Sequence, residues 1–115
     1  MMNRTQKTEE TVKALYGQEG CALRVTDPEF AAIKERLIYG EVYAEEKLPA
    51  KLRELLTFAV LAAQGGCEPQ VRAHVGGNAA VGNGKETLLA ALTLCMPYIG
   101  FPRTLNINEV LPEQR

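Results

Sequence analysis

The chain is 115 residues long, 46% apolar and 23% charged, with a formal net charge of −1 and a single histidine. That length suits one domain with a real core, and the mixed composition excludes a disordered or low-complexity chain. Thirteen basic residues against fourteen acidic ones, scattered along the chain, leave no electrostatic footprint for nucleic acid. The first ten residues are polar and charged, unlike a signal peptide, and the longest apolar run, Leu55 to Ala63, is too short to span a bilayer. A cytoplasmic protein without membrane or nucleic-acid partners is the expectation. The three cysteines, Cys21, Cys67 and Cys95, are odd in number and far apart. In a reducing compartment that argues for free thiols, one of which could be reactive, and against a disulfide framework.

Residues 1–25 read as a peripheral segment. It holds a short helix from Thr8 to Tyr16 closed by Gly17, then a connector from Gln18 to Thr26 that carries Cys21. Asp27-Pro28-Glu29 is a helix start: a side-chain acceptor, a proline at the first helical position, and a carboxylate at the positive end of the dipole. Phe30, Ile33, Leu37 and Ile38 follow at helical spacing, with a break expected at Gly40. Glu41 to Ala44 forms a junction, and a charged loop ends at Pro49.

From Pro49 to Gln64, Leu52, Leu55, Leu56, Ala59, Val60 and Ala63 make one apolar stripe, which predicts a long amphipathic helix buried along that stripe. Gly65-Gly66 ends it. Pro69 fits only a first helical turn, so another helix is expected from Cys67 to Val81, and Gly76-Gly77 within it would permit close approach of another backbone. After a Gly82-Asn83-Gly84 turn, Lys85 to Ile99 reads as a helix with Leu88, Leu92, Cys95, Met96 and Ile99 on one face and Leu89 beside them. Gly100-Phe101-Pro102 breaks it before a last helix from Pro102 to Val110. No sustained period-two alternation suggests strands. The expected fold is all-α, a single domain over residues 1–115 with five to six helices and a central antiparallel pair.

The residues able to carry chemistry gather between Glu41 and His74. Cys67 and His74 are seven apart, two helical turns, so they share a face about 10 Å apart along the axis. A thiol in the first turn sits at the positive end of a helix, which favours the reactive thiolate; the plainer reading is a small apolar plug. His74 is a general acid or base, or else an ordinary hydrogen-bonded core histidine. Glu54 on the preceding helix and Glu41 upstream are carboxylates that could orient its imidazole, though each also reads as a simple solvated residue. Cys95 lies in an apolar stripe and reads as core. No second Cys or His stands at metal-ligand spacing, and no glycine loop follows a strand, so neither a metal nor a cofactor is expected.

The run Arg53-Glu54-Leu55, then Cys67, Ala73-His74, Gly84 with Glu86, and Pro97-Tyr98-Ile99-Gly100-Phe101-Pro102 resembles the carboxymuconolactone decarboxylase family, which shares the helical fold of alkylhydroperoxidase D. The resemblance covers roughly Phe30 to Leu111, and Tyr39-Gly40-Glu41-Val42-Tyr43 is similar to the decarboxylase-type approach to the long helix. It implies a homotrimer or homohexamer with active sites near subunit interfaces. One branch of the family carries Cys-x-x-Cys-x-x-x-His with a glutamate on the preceding helix and reduces peroxides. Cys67, His74 and Glu54 match that pattern, but Gln70 stands where the second cysteine belongs, so a sulfenic acid at Cys67 would need an external thiol or another cysteine. The decarboxylase branch acts on a muconolactone-type acid without a cofactor. For it the chain offers His74, Glu54 and Glu41, with Arg53 and Arg72 as the arginines near them. The resemblance therefore implies a single-cysteine peroxidase-like enzyme, a cofactor-independent decarboxylase, or a non-catalytic oligomeric binder of a small ligand.

Overall fold

The computed structural model describes Gln6, Glu9, Glu10, Lys13, Ala14 and residues 27–42 and 44–112. The expected helix from Thr8 to Tyr16, its Gly17 stop, the connector with Cys21, and Tyr43 lie outside these residues, apart from Glu9, Glu10, Lys13 and Ala14, whose backbone is helical. The described residues form helices and no strands. They are α1 (Pro28–Lys34), a π-helical continuation (Glu35–Val42), α2 (Ala50–Gln64), α3 (Glu68–Ala80), α4 (Lys85–Ile99) and α5 (Phe101–Val110).

Local chemistry sets most of the boundaries. Asp27 is the N-cap of α1, its carboxylate accepting the Phe30 N–H at 2.7 Å, and Pro28 opens the helix where no N–H is needed. Gly65, at φ 74°, closes α2 in a conformation other residues avoid. Gly100, at φ 85°, caps the end of α4 and the start of α5, so one residue turns the corner. One boundary differs from expectation. The helix does not break at Gly40; it widens into π turns after Lys34 and carries through to Val42, with Tyr39 and Gly40 buried. A π-helix bonds one residue further along the chain than an α-helix does, which rotates the side chains away from the 3.6-residue pattern.

The core is built from Phe58 and Ala62 of α2, Val71 of α3, Leu88 and Leu92 of α4, Ile107 of α5, and Leu111 beyond it. Leu55, Leu61, Val75, Leu89, Ala91, Ile99 and Val110 pack around them. Polar ties across the α2–α3 pair run from Lys51 to Asn83 and from Glu54 to His74 and Asn78, so the two helices are antiparallel.

The inward face of α2 matches only part of the stripe that the periodicity picked out: Leu55 packs against the core and Ala59 and Ala63 are half-buried. Glu54, Phe58 and Ala62, spaced by four, are buried, whereas Leu52, Leu56 and Val60 are 42%, 47% and 63% exposed. Two residues rotate a helix by about 200°, so these rows lie on opposite sides. The helix is apolar on both sides, and periodicity alone does not say which one turns inward. Phe30, Ile33 and Leu37 likewise face outward within the chain. The stripe on α4 does behave as read: Leu88 and Leu92 are buried, with Cys95, Met96 and Ile99 half-buried beside them.

Phe58→Ala should therefore cost about 3–5 kcal/mol by emptying a packed site, while Leu56→Ala in the isolated chain should cost less than about 1 kcal/mol. Urea unfolding of the two variants checks the assignment; equal losses would mean that α2 is turned the other way.

Candidate functional site

The inward row of α2 brings a carboxylate into the interior. Glu54 is 3% exposed, and its Oε1 lies 2.6 Å from Nδ1 of His74, itself 7% exposed, on α3. A buried carboxylate without a partner would be costly, and this contact supplies one. With the carboxylate ionised and the ring neutral, Nδ1–H donates to Oε1 and the tautomer is set; a protonated ring makes the same contact as an ion pair.

Two buried asparagines complete the network. Asn78 is fully buried, and its side-chain amide donates to the backbone carbonyl of His74 at 2.7 Å and to that of Glu54 at 3.1 Å. One side chain thus bonds the main chain at both members of the pair. Its Oδ1 accepts from the amide of Asn83 at 3.0 Å, and the same Asn83 amide donates to the carbonyl of Lys51 at 2.7 Å, one turn before Glu54. The Asn83 backbone N–H also closes on the Asn78 carbonyl at 2.8 Å. Both asparagines were missed as site residues. In the sequence Asn78 is a weak helix former after two glycines and Asn83 a turn residue, and their partners come from a helix more than twenty residues away.

Cys67 is not in the first turn of α3 but precedes it as the N-cap, half-buried, with no side-chain bond to the helix amides. Its thiol donates to the carbonyl of Gly65 at 3.3 Å, a bond that only the protonated sulfur makes. It lies two turns ahead of His74 along the helix. Arg103 of α5 also reaches this loop, donating from Nη1 to the Ala63 carbonyl at 3.0 Å; a Cβ on Gly65 would lie 2.8 Å from its Nε. Arg53 is half-buried next to Glu54 in sequence, and Arg72 is exposed on α3. Cys95 is a half-buried free thiol on α4.

Glu41 lies on the element that precedes α2. It is exposed on the π-helical segment, which packs against α1, and it lines an open depression with Gly40, Ala44, Glu45 and Glu46. The Glu45 carboxyl is held below its ordinary value, chiefly because it accepts the Lys47 backbone N–H at 2.7 Å. That contact shapes a turn, and three carboxylates line the depression. Among the described residues no group of three or more His, Cys, Asp or Glu side chains comes together as a metal site. No helix among them is long and apolar enough to cross a membrane.

A helical subunit that carries a glutamate on one helix and a cysteine and histidine on the next has a known counterpart. The model of the carboxymuconolactone decarboxylase family matches residues 28–113, about three quarters of the chain. The chain belongs to that family. Comparison with the curated proteins finds no match.

If the Glu54–His74 contact carries energy, the two residues should be coupled. His74→Ala leaves a buried carboxylate unpaired and should cost about 3 kcal/mol or more. Glu54→Ala in that background should then cost less than it does alone, with a coupling of about 1–3 kcal/mol. Urea unfolding of the four-member cycle measures it, and strict additivity would show the contact to be energetically idle.

Proposed function

We propose that the chain is a single-cysteine, peroxidase-like enzyme in which Cys67 is the nucleophile and His74, oriented by Glu54, handles the protons. The observation that carries the reading is the buried 2.6 Å contact between Glu54 and His74 Nδ1. A carboxylate at Nδ1 orients the imidazole and sets which nitrogen is free to accept a proton, as general acid–base work requires. Cys67, the N-cap of α3, stands two helical turns ahead of His74, about 10 Å along the axis and on the same face.

The thiol gives up its proton toward His74, and the thiolate attacks one oxygen of the hydroperoxide. The O–O bond breaks, the sulfur is oxidised to a sulfenic acid, and the departing alkoxide takes the proton back from His74 and leaves as an alcohol. Gln70 occupies the place of a resolving cysteine, and the reading assigns that work to an external thiol. It condenses with the sulfenic acid, releasing water and forming a mixed disulfide, and a second external thiol restores Cys67 with its own oxidation to a disulfide. This cycle suits a cytoplasmic setting, where small thiols are abundant.

A second reading has its own support. The Cys67 thiol is engaged with the Gly65 carbonyl and has no second cysteine at position 70. In a cofactor-independent decarboxylase of a muconolactone-type acid, His74 would deliver a proton to the carbon that loses carbon dioxide, and Cys67 would be a bystander. Glu41 is the further carboxylate available to either reading. The outward apolar residues support the trimer or hexamer that the resemblance implies. Leu52, Leu56 and Val60 on α2, and Leu94, Tyr98, Phe101 and Leu105 on α4 and α5, make more exposed hydrophobic surface than a monomer ordinarily presents.

Peroxide consumption with an external thiol tests the first reading. Cys67→Ser should abolish turnover and sulfenic-acid trapping, and His74→Gln should slow turnover by about 10²–10⁴-fold. Full turnover in Cys67→Ser would exclude the peroxidase. Decarboxylation that survives Cys67→Ser and is lost in His74→Gln would establish the second reading, and inertness toward both substrates would leave a ligand-binding role. Sedimentation equilibrium should give three or six subunits, with Val60→Asp shifting the mass toward the monomer.

A further inference from the structure

Two adjacent glycines in α3 stand in opposite surroundings. A Cβ on Gly76 would meet nothing within 4 Å, and the residue is exposed. A Cβ on Gly77 would lie 2.5 Å from Oε1 of Glu54 and 3.1 Å from its Cδ, and Gly77 is buried. The oxygen that would be struck is the same Oε1 that meets His74 Nδ1. The carboxylate therefore rests on the bare backbone of α3 at position 77, one turn beyond the histidine it orients.

Relief by separating the helices is blocked. The Asn78 amide ties α3 to the carbonyl of Glu54 itself, and Asn83, bonded to Asn78, ties the same end to the carbonyl of Lys51. These bonds hold the two backbones at a fixed spacing around position 77. The far end of the Glu54 side chain is the part left free to move.

We propose that Gly77 is a positioning residue for His74: its missing side chain is the seat of the Glu54 carboxylate, and it sets the contact that fixes the imidazole tautomer. The proposal deepens the reading of His74 as the acid–base group and rests on that reading for its catalytic meaning. Filling the seat displaces Oε1 from Nδ1 without touching any group that reacts. Alanine is a better helix former than glycine, so Gly77→Ala and Gly76→Ala both favour α3 itself, and only the first perturbs the carboxylate.

His74 is the only histidine, so its ring nitrogens can be observed without ambiguity in the full-length protein by ¹⁵N NMR of the imidazole. In the wild type and in Gly76→Ala, the neutral ring should hold its proton on Nδ1. In Gly77→Ala the ratio of the Nδ1–H to the Nε2–H tautomer should fall by about tenfold or more, the bias expected from losing a charge-assisted hydrogen bond. Where turnover is measurable, kcat should fall with little change in KM. An unchanged tautomer ratio in a folded Gly77→Ala would overturn the proposal. Loss of the fold in Gly77→Ala, with Gly76→Ala folded, would also overturn it, because the added methyl would not then be absorbed by the side chain. A wild-type ring protonated on Nε2 would instead overturn the Glu54–His74 pairing, and with it the reading of His74 on which the proposal depends. Normal tautomers with no activity would leave the positioning intact and count against the catalytic reading alone.

Discussion

A carboxylate that is 3% exposed has to be satisfied, and at Glu54 the partner is a histidine nitrogen 2.6 Å away on the next helix. Much of the α2–α3 geometry follows from that requirement. The row containing Glu54 also contains Phe58 and Ala62, so once the carboxylate turns inward the two apolar residues go with it into the core. A partner at Nδ1 lets a charged residue occupy the inward face without the penalty of an isolated buried charge. The asparagines then fix the register of the pair, since Asn78 bonds the carbonyls at both Glu54 and His74 while Asn83 repeats the tie one turn earlier. Polar contacts of this kind specify one arrangement of two helices where apolar packing alone would tolerate several.

What was legible in the sequence was local. The Asp27-Pro28 start, the glycine stops at Gly65 and Gly100, and the proline at the opening of α3 all depend on a few neighbouring residues, and the helices form where those signals stand. Tertiary choices were not legible. The stripe at Leu52, Leu56 and Val60 is a good amphipathic pattern, yet the opposite face is buried, because Phe58 and Ala62 supply a second apolar face and Glu54 disguises it. The π turns at Glu35–Val42 shift the register after Lys34, which a fixed 3.6-residue period does not anticipate. Gly76 and Gly77 look alike in the sequence, and only the position of the Glu54 carboxylate separates them.

The candidate site divides along the same line. Glu54 and His74 are both visible as residue types, but their contact spans twenty positions and requires the antiparallel pairing of α2 with α3. Glu41, read as following a helix break, lies instead within a helix that does not break there, exposed on its surface. Arg103 went unnoticed because it is forty residues from the loop it braces, and nothing in the α5 sequence marks it.

The chemistry of Cys67 turns on what surrounds the sulfur. As the N-cap it precedes the amides of α3 without bonding to them, and its hydrogen bond runs backward to the Gly65 carbonyl. With glutamine at position 70, the first turn of α3 supplies no second thiol. On the proposed peroxidase reading the second thiol has to come from outside α3, and access to the loop at Gly65-Gly66 then matters alongside the buried pair behind it.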